Sequence, residues 1–90
     1  MTLEIAIRER VIYSGPANSV VLPAAEGEMG VLAGHADFIV VLAKGPLRAK
    51  VDGEPRTFQI DGGFAEISHD RIIVLPNAAS AGGAGGQPSK

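Results

Sequence analysis

The sequence predicts an all-β domain, a sandwich or a barrel. Apolar and polar residues alternate with period two in several short runs. Gly, Pro, Asn and Asp recur at close spacing between those runs, and no stretch shows a convincing helical period. About six to eight short strands are expected from this spacing.

The first strand is "LEIAIRERVIY", with Leu3, Ile5 and Ile7 on one face and Glu4, Ala6 and Arg8 on the other. The alternation breaks at Glu9-Arg10, where a bend or bulge precedes Val11-Ile12-Tyr13. "SGPANS" has turn composition, and "VVLP" reads as a short strand closed by Pro23. Glu26 to Phe38, "EGEMGVLAGHADF", reads as a loop, and "FIVVLA" after it is a strand apolar on both faces. Lys44-Gly45-Pro46 reads as a turn. In "PLRAKV", Leu47, Ala49 and Val51 point inward while Arg48 and Lys50 point outward. "DGEP" is the best hairpin signal in the chain, because Asp-Gly suits the positive φ angles of a primed turn. "RTFQI" returns from it, Asp61-Gly62-Gly63 turns again, and "FAEI", the turn "SHD" and "RIIVLP" complete the domain. From Ala78 the chain reads "AASAGGAGGQPSK", with no large apolar side chain to offset the entropy of ordering it. The expected organisation is a β domain over residues 1–77 and a disordered Gly/Ala-rich tail over 78–90.

Composition narrows the function. Ninety residues make one domain with one modest core. The absence of Cys removes disulfides, thiolate metal sites and cysteine nucleophiles, and is compatible with the cytosol. A net charge of −2 gives no electrostatic reason to expect nucleic acid. Tyr13, Phe38, Phe58 and Phe64 are too few aromatics for base-stacking platforms. "MTLEIAIRER" is charged throughout, unlike a signal peptide or anchor, and no apolar run approaches the roughly 20 residues that span a bilayer. The chain reads as a soluble domain without membrane insertion.

No catalytic pattern stands in the sequence. Ser68-His69-Asp70 holds the residue types of a hydrolase triad, but consecutive residues in a tight turn diverge, whereas a triad must converge. Glu26, Glu28, His35 and Asp37 make an oxygen-rich metal set only on paper, since spacing does not bring them together. Gly27, Gly30 and Gly34 miss the dinucleotide spacing, and no helix follows to hold a phosphate. Arg48, Lys50 and Arg56 read as a solvated basic stripe on one sheet face. The expectation is a non-enzyme with no catalytic residue, no metal and no cofactor.

The loop remains. Its glycines permit positive φ and close approach of another backbone. Met29, Val31 and Leu32 supply apolar contacts, and Glu26, Glu28, His35 and Asp37 a polar rim. On physics alone two readings are open: an interaction surface on a rigid sheet, or glycines that only serve turns while Val31 and Leu32 return to the core. "VVLPAAEGEMGVLAGHADF", then "KGPLR", then "IDGGFAEI" and "RIIVLP", resembles the epsilon-subunit family of the F-type ATP synthase. The resemblance runs from Leu3 to Pro76, and the blocks Gly27 to Leu32, Gly34-His35-Ala36 and Gly62-Gly63-Phe64 stand in the family's order.

That resemblance implies a flattened antiparallel β-sandwich at the foot of the central rotor stalk. It implies a non-catalytic subunit that binds the gamma subunit and the c-ring and helps couple proton flow to ATP synthesis. Glu28, Gly30 and His35 match positions at or near the ring-facing edge, and Gly62 and Gly63 match the strand-turn motif. Glu28 and His35 are assigned to polar contacts at the ring, with bonds to backbone groups inside the loop as the alternative. The outward apolar faces of "FIVVLA" and "RIIVLP", marked by Ile39 and Ile73, are expected to meet gamma. The implied location is peripheral, on the cytoplasmic face of the bacterial inner membrane or an equivalent energy-coupling membrane. Two departures stand out. Ala33-Gly34-His35 and His35-Ala36-Asp37 replace the usual Pro-Gly-His and His-Ala-Pro, which loosens two backbone angles and adds a carboxylate. After Pro76 the Gly-rich tail does not resemble the family's C-terminal helical hairpin, so a naturally short form without helical-arm inhibition is expected. The rival reading is a lipoyl or biotinyl carrier domain modified at Lys44 in the turn "LAKGP", although the flanking residues lack the attachment pattern.

Overall fold

Ten strands follow one another in the computed structural model, which describes residues 1–32, 34 and 37–81. They are β1 (Thr2–Ala6), β2 (Val11–Pro16), β3 (Ser19–Ala24), β4 (Gly27–Val31), β5 (Phe38–Val41), β6 (Lys44–Val51), β7 (Glu54–Asp61), β8 (Phe64–Ser68), β9 (Arg71–Leu75) and β10 (Ala78–Ala81). Two five-stranded sheets form a sandwich. Sheet A has the order β2-β1-β9-β8-β5 and sheet B the order β10-β7-β6-β3-β4. All pairings are antiparallel except β1 with β9.

Period-two alternation builds the core. Sheet A turns Leu3, Ile5, Val40, Ala65, Ile67, Ile72 and Val74 inward, and sheet B answers with Val20, Leu22, Val31, Leu47, Ala49, Phe58 and Ile60. Each fully buried Leu or Ile contributes roughly 1.5–3 kcal/mol relative to exposure. No polar or charged side chain is buried among the described residues, so the core needs no internal hydrogen bonds.

Turn chemistry sets the register. Asp52 and Gly53 take φ of 54° and 78°, and the Gly53 amide donates to Asn18 Oδ1 at 3.0 Å. At Gly63, φ is 87° and an added Cβ would lie 2.3 Å from the Leu75 carbonyl oxygen, so this position admits only glycine. Gly62 is also left-handed, at 68°, with Asn77 against it. Glu9-Arg10 sits in the bend between β1 and β2, and the β1–β2 register shifts between Ile5 and Ala6.

Several expected loops are strands. Gly27–Val31 is β4, paired with β3 across the two-residue turn Ala25-Glu26, so of the expected Glu26–Phe38 loop Glu26 belongs to a tight turn, five residues are strand and Phe38 opens β5. Backbone pairing overrides a glycine-rich composition here. Ser14-Gly15-Pro16 completes β2, and Lys44-Gly45-Pro46 opens β6 opposite Asp61-Ile60-Gln59. The β3–β6 ladder stops at Val21 and Arg48. Continuing its register would bring Pro23 opposite Pro46, and neither has an N–H to donate. The domain also extends past 77: Ala78–Ala81 pairs with Asp61–Phe58 as β10, because main-chain bonding does not depend on side-chain size. Residues 82–90 of the expected tail lie outside the described residues.

Candidate interaction face

Strand pairing places the exposed apolar side chains together on the outer surface of sheet A. Val41 stands opposite Phe64, and Phe64 opposite Leu75. They are 65%, 47% and 40% exposed, so three large apolar side chains form an uninterrupted outward row across β5, β8 and β9. On the same face, Val11 of β2 stands opposite Ala6 and is likewise exposed. The neighbouring row reads Ile39, Glu66, Ile73, Glu4 and Ser14 in register. Ile39 is exposed and Ile73 half-buried, so both residues expected to face a partner lie on this surface. Of the exposed large apolar residues among those described, Leu32 alone lies off it. A contiguous apolar patch left in water marks an interaction surface more often than a scatter of single residues does.

Phe64 and Val11 are missing from the sequence-based expectation, and Val41 and Leu75 enter it only as members of the outward faces marked by Ile39 and Ile73. Parity could have found Phe64. Once Ala65 and Ile67 are assigned inward, Phe64 must face out, and Ile72 and Val74 place Leu75 likewise. Val11 follows a register shift, so parity counted from β1 does not reach it.

The expected ring-facing residues are arranged differently. Glu28 and Gly30 share the outer face of β4, at the edge of sheet B. Glu28 Oε2 accepts from Arg48 Nη2 of β6 at 2.9 Å, reaching across β3, so its partner is a side chain and not a backbone group of the loop. Gly30 has no positive φ and nothing within 4 Å of an added Cβ. His35 lies outside the described residues. The Gly34 amide donates to the His69 carbonyl at 2.8 Å, which ties the β4–β5 connection to the β8–β9 turn.

The remaining candidates separate. Ser68 is paired with Arg71, and His69-Asp70 form the two-residue turn between β8 and β9, with the Asp70 carboxylate 3.9 Å from the N-terminal ammonium. Arg56 does not join Arg48 and Lys50. It shares the inward parity of Phe58, and its guanidinium lies 5.2 Å from the centroid of the Tyr13 ring, bridging the sheets. Lys44 is a ladder residue opposite Asp61, not the hairpin tip that a carrier lysine occupies. No helix in the described structure is long and apolar enough to cross a membrane.

Known proteins share this architecture and sequence. Residues 1–82 match the family described as "ATP synthase, Delta/Epsilon chain, beta-sandwich domain". The chain is 36% identical over 84 residues to an ATP synthase epsilon chain of a Synechococcus strain, and 37% identical over 82 residues to that of Synechococcus elongatus. These alignments cover 91% of this chain but 61% and 60% of the relatives, so the chain spans about three fifths of their length. Among solved structures, a chain of the Euglena gracilis mitochondrial ATP synthase, in an assembly of OSCP, F1 and c-ring, superposes with a TM-score of 0.81 at 29% identity. The match covers 88% of this chain and 51% of that one. A chain in the central stalk and c-ring assembly of the Tetrahymena thermophila mitochondrial enzyme shares the fold, with a TM-score of 0.71 at 14% identity, over 88% of this chain and 64% of that one.

Proposed function

We propose a role that starts from one fact: the chain belongs to the ATP synthase delta/epsilon family. It serves as a central-stalk subunit of a proton-translocating F-type ATP synthase and does no chemistry itself. Sheet A's outer face packs on the gamma subunit. The β4 edge and the connection after it, with Glu28, Gly30 and His35, face the c-ring. Torque passes through a stiff sandwich, and the membrane is reached only through the rest of the complex.

One observation carries the gamma contact: the outward row Val41, Phe64 and Leu75, joined by Ile39 and Ile73. Left in water, this row is unfavourable by about 25 cal/mol for each Å² of apolar surface that a partner would cover. A stable contact of this class buries roughly 1,600 Å² in total.

The test is binding of the chain to purified gamma subunit, measured by calorimetry for the wild type and for Val41→Glu. Val41 is exposed, so the variant folds. Binding is expected to weaken by about 100-fold or more, the cost of seating an unpaired charge in an apolar contact. Unchanged affinity would remove sheet A from the interface.

A further inference from the structure

Glu66 occupies an unusual place on the apolar face. Ile39 stands opposite it on β5 and Ile73 on β9, and Phe64 precedes it by two residues on the same face of β8. Val41 and Leu75, the partners of Phe64, stand diagonally on that side of Glu66, while Ser68 and its partner Arg71, which is engaged with Glu4, stand on the other. The other carboxylate of this row, Glu4, has a partner: Arg71 Nη2 lies 3.5 Å from its Oε1. Glu66 has none among the described residues.

While the face is open, water solvates that carboxylate. Covered by an apolar surface, it would lose its hydration with nothing in return, a large penalty for a charged group. Interface centres are depleted of acidic residues for this reason. A partner that seals the Val41–Phe64–Leu75 row therefore has to meet Glu66 with a positive charge.

We infer that the surface of gamma covering sheet A carries one arginine or lysine opposite Glu66, set among apolar side chains, and that this pair fixes the register of docking. The inference rests on the reading of sheet A as the gamma interface. Arginine suits the site better, since its planar fork can engage both carboxylate oxygens and is less strongly hydrated than an ammonium.

The test compares wild type, Glu66→Gln, Glu66→Lys and Val41→Glu, each titrated with purified gamma at low and high salt, with thermal unfolding as the check on folding. Glu66→Gln is expected to weaken binding by about 30-fold, Glu66→Lys by more, and both to flatten the salt dependence. A reversal of one basic gamma residue to Glu then restores binding to Glu66→Lys. If Val41→Glu loses binding while both Glu66 variants bind as wild type, Glu66 stays in water at the rim; the inference fails and the interface reading stands. If the Glu66 variants weaken but no reversal on gamma rescues Glu66→Lys, the assignment of a basic partner is overturned. If Val41→Glu also binds as wild type, both readings fall.

Discussion

The two sheets are alike on their inner faces and unlike on their outer ones. Inside, each presents mainly aliphatic side chains in alternation, with Phe58 among those of sheet B. Outside, sheet A shows Val41, Phe64, Leu75 and Ile39, whereas sheet B shows Arg48, Lys50, Thr57, Gln59 and Ser80 with half-buried Val21 among them. The inner pattern is what holds the two sheets together, and the outer apolar row of sheet A adds only cross-strand contacts worth about 0.2–1 kcal/mol per pair. An antiparallel sheet with one solvated face reads like sheet B. Sheet A is built as though both of its faces were to be covered.

The largest effect should come from the face the sheets share. Leu47→Ala removes a fully buried side chain of β6 and should lower unfolding free energy by about 2–5 kcal/mol in a urea titration. A smaller loss would mean the two inner faces are not the source of stability. Charge placed outside should split the sheets. Gln59→Glu on sheet B should leave gamma affinity unchanged, against the large loss for Val41→Glu on sheet A, and equal losses would end the contrast between the faces. The Arg48–Glu28 pair on sheet B is half exposed. Arg48→Ala should therefore cost at most about 1 kcal/mol at low salt and less at high salt. A larger, salt-insensitive cost would mean sheet B's polar face is structural. The smallest effect is expected at Gly30, where a methyl group meets open space. Gly30→Ala should leave stability unchanged or raise it by several tenths of a kcal/mol, since alanine restricts the unfolded chain. A loss of c-ring binding in that stable variant would show that the glycine serves a partner's close approach.

Much of this was legible. The strand alternation, the Asp52-Gly53 hairpin and the His69-Asp70 turn follow from local composition and match the structure. Ile39 and Ile73 were readable as outward because their strands are apolar on both faces. Gly27–Val31 and Ala78–Ala81 were not readable as strands. Their glycines, alanines and polar residues lack strand propensity, and what orders them is the open edge of a neighbour, β3 in one case and β7 in the other. Arg56 was misplaced because basic residues close in sequence look alike until parity separates Arg48 from Arg56.

The sequence alone determined the β class, the positions of the tight turns and which residues in each run share a face, because those depend on dihedral preference and a period of two. The tertiary structure decided which runs become neighbours. Phe64 and Leu75 face each other through the β8–β9 hairpin, but Val41 joins them in a row only because β5 pairs with β8. Glu28 finds Arg48, and Glu66 finds itself among apolar side chains, for the same reason. Contacts between strands arise from pairing at a distance, and local composition holds no record of the partner.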